Sequence, residues 1–217
     1  MLPGGKRQDP YGGWNPRSLG RRGGAAMSYF PLMIQLDRQP VLLVGGGRTA
    51  LHKARILLAF GARLQVVAPV LAPGFQDLPV QVEKRKFVPD DIVRESWRMV
   101  VAATGERKIN ERVSRLCQER KIPVNVVDDP ALCSFIFPAL LKDREVVCAV
   151  SSGGRSPLVT QYVKTKIQQV LPVGLGSLNE QMGIYRQQVK AEEPDPNKRR
   201  TLLQEKLREL VERLTKK

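Results

Sequence analysis

A chain of 217 residues, 42% hydrophobic and 26% charged, has the composition of a globular protein with one main domain and a smaller appendage, and no apolar run is long enough to cross a bilayer. The formal net charge of +15 raises the question of nucleic acid. Yet Lys6, Arg7, Arg17, Arg21 and Arg22, set against Asp9 alone, fall in the first 26 residues, leaving +11 spread along the rest without the aromatic interleaving of single-strand binders. The expectation is no nucleic acid and no membrane.

The first 26 residues hold arginine, glycine and proline but no apolar core of a secretory signal, so 1–26 reads as a disordered leader and Met27 opens the first foldable segment. Pro40 to Val44 is then an unbroken apolar run, the mark of a parallel strand covered on both faces. Gly45-Gly46-Gly47 interrupts it. Ala50, Ala54, Leu57 and Leu58 follow at helical spacing until Gly61 offers a stop, and Leu64 to Ala68 is the next strand. Val80 to Glu83 reads as a short strand, Asp90 to Glu95 as a helical turn, and Met99 to Ala103 as another buried strand. A helix over Lys108 to Glu119 buries Val113 and Leu116, and Pro123 to Val127 is the strand after it. This alternation predicts an α/β fold with a parallel, doubly wound sheet whose ligand crevice lies beyond the carboxyl ends of the strands.

After Val127 the pattern changes. Phe135 to Phe137 and Val146 to Val150 flank the charged turn Lys142 to Glu145 and read as an antiparallel pair. Ser156 and Pro157 supply a cap and a first-turn proline for a helix carrying an apolar stripe of Leu158, Val159, Tyr162, Val163, Ile167 and Val170. A polar stretch with a break at Pro194-Asp-Pro196 leads to a terminal amphipathic helix through Leu203, Leu207, Leu210, Val211 and Leu214. Cys117, Cys133 and Cys148, odd in number and set in apolar stretches, read as reduced thiols of a cytoplasmic protein.

Gly45-x-Gly47-x-x-Ala50, between a strand and a helix, fits the dinucleotide fingerprint, in which glycines let backbone amides approach a pyrophosphate at the helix N-terminus. No acidic residue ends the second strand near Pro69, so chemistry alone leaves NAD against NADP open. Asp128, with Asp129, follows a strand at the crevice and is the acid/base candidate, weighed against a simple turn cap. Ser151-Ser152-Gly153-Gly154 is a candidate anion-binding loop. His52, the one histidine, reads as a surface or packing residue, and no metal cluster is legible.

The segments Val44 to Gly47, Lys53-Ala-Arg55, Ala102-Ala-Thr104, Asn125-Val-Val-Asp128, Ser134-Phe-Ile136, Val150 to Gly154 and Ser156-Pro157 together resemble the precorrin-2 dehydrogenase and sirohydrochlorin ferrochelatase family, over Met27 to about Leu175. The same module forms the N-terminal part of bacterial siroheme synthase and the yeast dehydrogenase/ferrochelatase. The resemblance implies a Rossmann-type NAD-binding domain over 27–133, an α+β dimerisation segment over 134–173, a helical C-terminal part over 174–217, and a homodimer. It implies oxidation of precorrin-2 to sirohydrochlorin with NAD as cofactor and Asp128 as the catalytic residue, and in bifunctional members ferrous iron as a further substrate. Cofactor contacts map to Gly45, Gly46, Gly47, Arg48, Thr49, Pro69, Val70 and Thr104; Ser152 and Gly153 would line the tetrapyrrole cleft. No methyltransferase segment is legible, so the methylations that make precorrin-2 are expected elsewhere.

The chain departs from the family at Gly105, where aspartate is common, and at His52, where arginine is common. The competing function is a nucleotide-sensing regulatory domain without catalysis. No helix-turn-helix supports a repressor, and the acidic ribose contact usual in channel-gating domains is missing.

Overall fold

The structure is a computed structural model and describes residues 29–215. The leader expected over 1–26 lies outside the described residues. Strands β1 (Pro40–Val44), β2 (Arg63–Val67), β3 (Gln81–Glu83), β4 (Met99–Ala102) and β5 (Val124–Val126) form one sheet in the order β3-β2-β1-β4-β5. Every pairing in it is parallel. The strand order reverses direction between β1 and β4, which places the ligand crevice at their carboxyl ends.

Alternation within the apolar runs builds two cores. Val41 and Leu43 of β1 face helix α1 (Arg48–Leu58), joining Ala50, Ala54 and Leu57. Leu42 and Val44 face the other way, towards Ile92 of helix α2 (Asp90–Val93), Trp97, and Val113 and Cys117 of helix α3 (Arg107–Glu119). A strand buried on both faces has no solvent side on which to place polar residues, which is why its sequence shows no alternation. Each fully buried leucine contributes roughly 1.5–3 kcal/mol of transfer free energy.

Beyond a 3-10 turn at Pro130–Leu132, strands β6 (Ala139–Asp143) and β7 (Val146–Val150) form an antiparallel hairpin. This corrects the expectation that Phe135 to Phe137 is the first strand of that pair. Pro138 lacks the amide a ladder needs and the strand begins after it, while Phe135 and Phe137 pack on the α1 side of the core. Helix α4 (Pro157–Val170) starts at the expected cap, the Ser156 hydroxyl accepting the Val159 amide at 3.3 Å. Its stripe stands largely in solvent: Leu158 is 82% and Val170 78% exposed.

Helix α5 (Leu175–Glu192) shows no helical spacing in the sequence but lies in the helical C-terminal part that the resemblance implied, and helix α6 (Pro196–Thr215) begins earlier than the leucine spacing suggests. The two pack on each other, burying Leu178, Val189 and Leu210. Asp143 at the hairpin tip accepts the Gly176 amide at 2.8 Å in the first turn of α5, where a carboxylate complements the helix dipole.

Candidate active site

The glycine turn is packed from both sides. A Cβ on Gly45, whose φ is +123°, would lie 2.3 Å from the Ala103 carbonyl oxygen, and one on Gly46 would lie 2.1 Å from that of Val70. Only glycine lets the turn sit this close to the loops after β4 and β2. Gly47 has open space beside its Cα, and α1 starts there with no side-chain cap and no acidic residue in its first turn. Backbone amides at the end of the helix dipole therefore face an open, uncapped space, which fits a pyrophosphate.

Arg48 and Thr49 are exposed on the first turn of α1. Pro69 and Val70 are exposed after β2, and the loop they begin is tied to the turn by the Ala72 amide, 2.7 Å from the Gly46 carbonyl. Thr104 follows β4, beside Gly45. Its amide and hydroxyl both donate to Asn110 Oδ1 (3.2 and 2.6 Å), and Asn110 Nδ2 donates to the Thr104 carbonyl at 3.1 Å. Asn110 went unnoticed in the sequence, although it lies three and seven residues before Val113 and Cys117, on the buried face of α3. The nucleotide candidates are thus gathered at the carboxyl ends of β1, β2 and β4. Gly105 is exposed with open space around it.

Asp128 stands beyond β5, two strands from β1, on the order of 10 Å away by strand spacing. Its φ is +62°, a left-handed conformation that aspartate and asparagine tolerate better than most residues. Asp129 pairs with Arg107 at 3.5 Å; Asp128 has no ion pair among the described residues.

A cleft of about 400 Å³ opens between α1, the 136–138 segment, the hairpin and the start of α4. Ile56, Ile136, Phe137 and Leu140 give it apolar walls; Ser151, Ser152, Gly154, Thr160 and Gln161 give it a polar side. Ser152 lines it, but its hydroxyl is occupied with the loop, donating to the Ser156 carbonyl (3.0 Å) and accepting from the Ser156 amide (3.1 Å). Gly154 borders the cleft, while Gly153, at φ +66°, stands beside it. His52 also lines the cleft, although exposed.

Lys53, which the sequence reading quoted without giving it a role, also reaches the cleft. Its ammonium lies 4.2 Å from the Phe137 ring centroid. Burial lowers its pKa, against the opposing charge of Asp128 and, less so, Cys133. The signal for it was present: Lys53 is three residues after Ala50 and four before Leu57, on the edge of the buried stripe of α1. Among the described residues no group of three or more His, Cys, Asp or Glu side chains is arranged to hold a metal. No helix there is long and apolar enough to cross a membrane.

A doubly wound parallel sheet with a glycine turn at its switch point defines an NAD(P)-binding protein of the Rossmann type, and residues 32–139 match the family model described as putative NAD(P)-binding. Siroheme synthase of Ectopseudomonas mendocina is 40% identical over 176 residues, 80% of this chain and 38% of that protein. Siroheme synthase 2 of Aeromonas hydrophila is 41% identical over 166 residues, 76% of this chain and 35% of that one. Over these stretches the chain is similar to siroheme synthases, and it spans a little over a third of the length of these curated relatives. Among solved structures, the fold is shared with SirC, a precorrin-2 dehydrogenase, at a TM-score of 0.68 and 22% identity, covering 87% of this chain and 100% of that one.

Proposed function

We propose that this protein is an NAD-dependent dehydrogenase that oxidises precorrin-2 to sirohydrochlorin in siroheme synthesis. The observation that carries this reading is an uncapped glycine turn at the switch point of the parallel sheet, together with a cleft bordered by the same helix α1 whose lining includes no carboxylate. Its support comes from the siroheme synthase relatives and the fold shared with a precorrin-2 dehydrogenase. NAD bound at the turn supplies a hydride acceptor. Gly45, Gly46 and Gly47 make room for its pyrophosphate, with Arg48, Thr49, Pro69, Val70 and Thr104 around them. The cleft, with Ser152, Gly153 and Gly154 along its loop, holds the tetrapyrrole and excludes water from the ring faces. Asp128 takes the proton released as the substrate loses a hydride, so the substrate gives up two electrons and two protons, one proton going with the hydride and one to Asp128.

The assembly consistent with this reading is a homodimer of a soluble, cytoplasmic enzyme, since Leu158, Val159, Tyr162, Val163 and Val170 leave an apolar face on α4. Ferrous iron is read as a further substrate of the same cleft rather than a resident ion.

The test is turnover of enzymatically generated precorrin-2 with NAD, free of metal, for wild type and Asp128→Asn. Asparagine keeps the left-handed backbone of Asp128, so the melting temperature stays unchanged while the rate falls roughly 100-fold or more. Unchanged turnover in the variant would discard Asp128 as proton acceptor and keep the dehydrogenase. A cleft variant, Gly154→Leu, is expected to raise KM for precorrin-2 and leave NAD affinity alone.

A further inference from the structure

Resting on the dehydrogenase reading above, we propose that Lys53 and Lys164 are the carboxylate anchors of the cleft, gripping two acidic side chains of the tetrapyrrole, one from α1 and one from α4. Lys53 projects from α1 and Lys164 from α4, and both line the cleft. The lining contains no aspartate or glutamate, and neither lysine forms an ion pair with any described residue.

A partly buried ammonium is costly to leave unpaired, and Asp128, whose charge acts on Lys53, forms no ion pair with it, so an anionic group entering the cleft would lower that cost. Lys53 cannot relax fully into solvent, because its ammonium lies over the face of Phe137, whose ring contacts Phe135 at a centroid distance of 5.4 Å. The lining also has an apolar part, Ile56, Ile136, Phe137, Pro138 and Leu140. Apolar surface together with two cations and no carboxylate complements a flat ring system with an anionic rim, the chemistry of a polycarboxylated tetrapyrrole. Anchoring at two points also fixes how the ring is turned in the cleft.

The test titrates the full chain, without NAD or metal, with sirohydrochlorin as a stable probe, followed by tetrapyrrole absorbance. Lys53→Met and Lys164→Met should each raise Kd about tenfold or more, with a larger loss in the double variant. Lys53→Arg should recover most of the affinity, and Lys84→Met, which removes an exposed charge outside the cleft, should match wild type. Affinity for NAD, measured calorimetrically, should stay at the wild-type value throughout. The anchors are overturned if the two methionine variants, with wild-type melting temperatures, bind sirohydrochlorin as tightly as wild type, or if Lys84→Met loses as much as they do. If wild type binds sirohydrochlorin and the variants weaken it, but no variant or wild type turns over precorrin-2, the anchors stand and the dehydrogenase reading falls.

Discussion

Gly46 and Gly47 are neighbours with opposite tolerances. A methyl on Gly46 meets the Val70 carbonyl oxygen, a backbone atom that cannot swing aside, whereas one on Gly47 meets no protein atom within 4 Å. Gly46→Ala should therefore destabilise by roughly 1–3 kcal/mol through overpacking. Gly47→Ala, at a helix N-cap with φ −74°, should cost less than about 1 kcal/mol yet intrude on the space read as the pyrophosphate site. Thermal melts and calorimetric NAD titrations check the pair: the first variant loses stability, the second loses affinity. Equal loss of stability in both, with NAD affinity intact in Gly47→Ala, would contradict the assignment of that space. The fingerprint itself was plain in the sequence because strand, glycines and helix follow one another without a gap from Pro40 to Leu58. The reason for each glycine was not, since Val70 and Ala103 reach the turn from distant loops. Lys53 was half legible, as a lysine on the edge of a buried stripe; Lys164, among the polar residues of α4, gave no such sign.

Among the elements, the weakest is β3, three residues long at the edge of the sheet, and it is fastened by charge. Arg85, just after β3, pairs with Glu83 and with Asp91 at 2.5 Å; Arg94 reaches Asp91 at 3.1 Å, and the Val88 amide donates to Asp91 at 3.0 Å. Burial, the largest single influence on Asp91, pushes its pKa up, but Arg85, the Val88 amide and Arg94 together hold it below the ordinary carboxylate value. A depressed folded value means that the stabilisation is complete above the unfolded pKa, about 4, and is lost as pH falls through the folded one. Melting temperature should therefore be level above about pH 5 and fall below about pH 4, and Asp91→Asn should start lower, by roughly 3 kcal/mol, and fall less steeply. An acid slope in the variant equal to that of wild type would remove Asp91 from the account. The central strands were legible because burial on both faces leaves an unbroken apolar run. The hairpin was displaced because the aromatic side chains at Phe135 and Phe137 suggested a strand that Pro138 delays. Helix α5 was legible only through the resemblance and not through periodicity, because Gly176 and Gly183 break its pattern and it shows few apolar residues at helical spacing.

At the scale of the whole molecule, the cleft carries Lys53 and Lys164 and no carboxylate in its lining, while most of the excess positive charge lies elsewhere along the chain. Thiol chemistry is set apart from this region in one case: burial pushes the Cys117 thiol up to about 12, so it should resist thiol reagents until the chain unfolds. Doubly wound topology follows from the order of apolar runs, but the cleft does not, because its walls come from α1, a non-repetitive segment, the hairpin and α4, joined only by tertiary packing. Whether the glycine turn and the cleft work as one oxidoreductase site is decided by incubating the wild-type chain, free of metal, with precorrin-2 and NAD and following both products by absorbance. One NADH formed for each sirohydrochlorin is the expected result; no reduced nucleotide with either NAD or NADP, from protein that binds the nucleotide, would contradict it and point to a nucleotide-sensing domain instead.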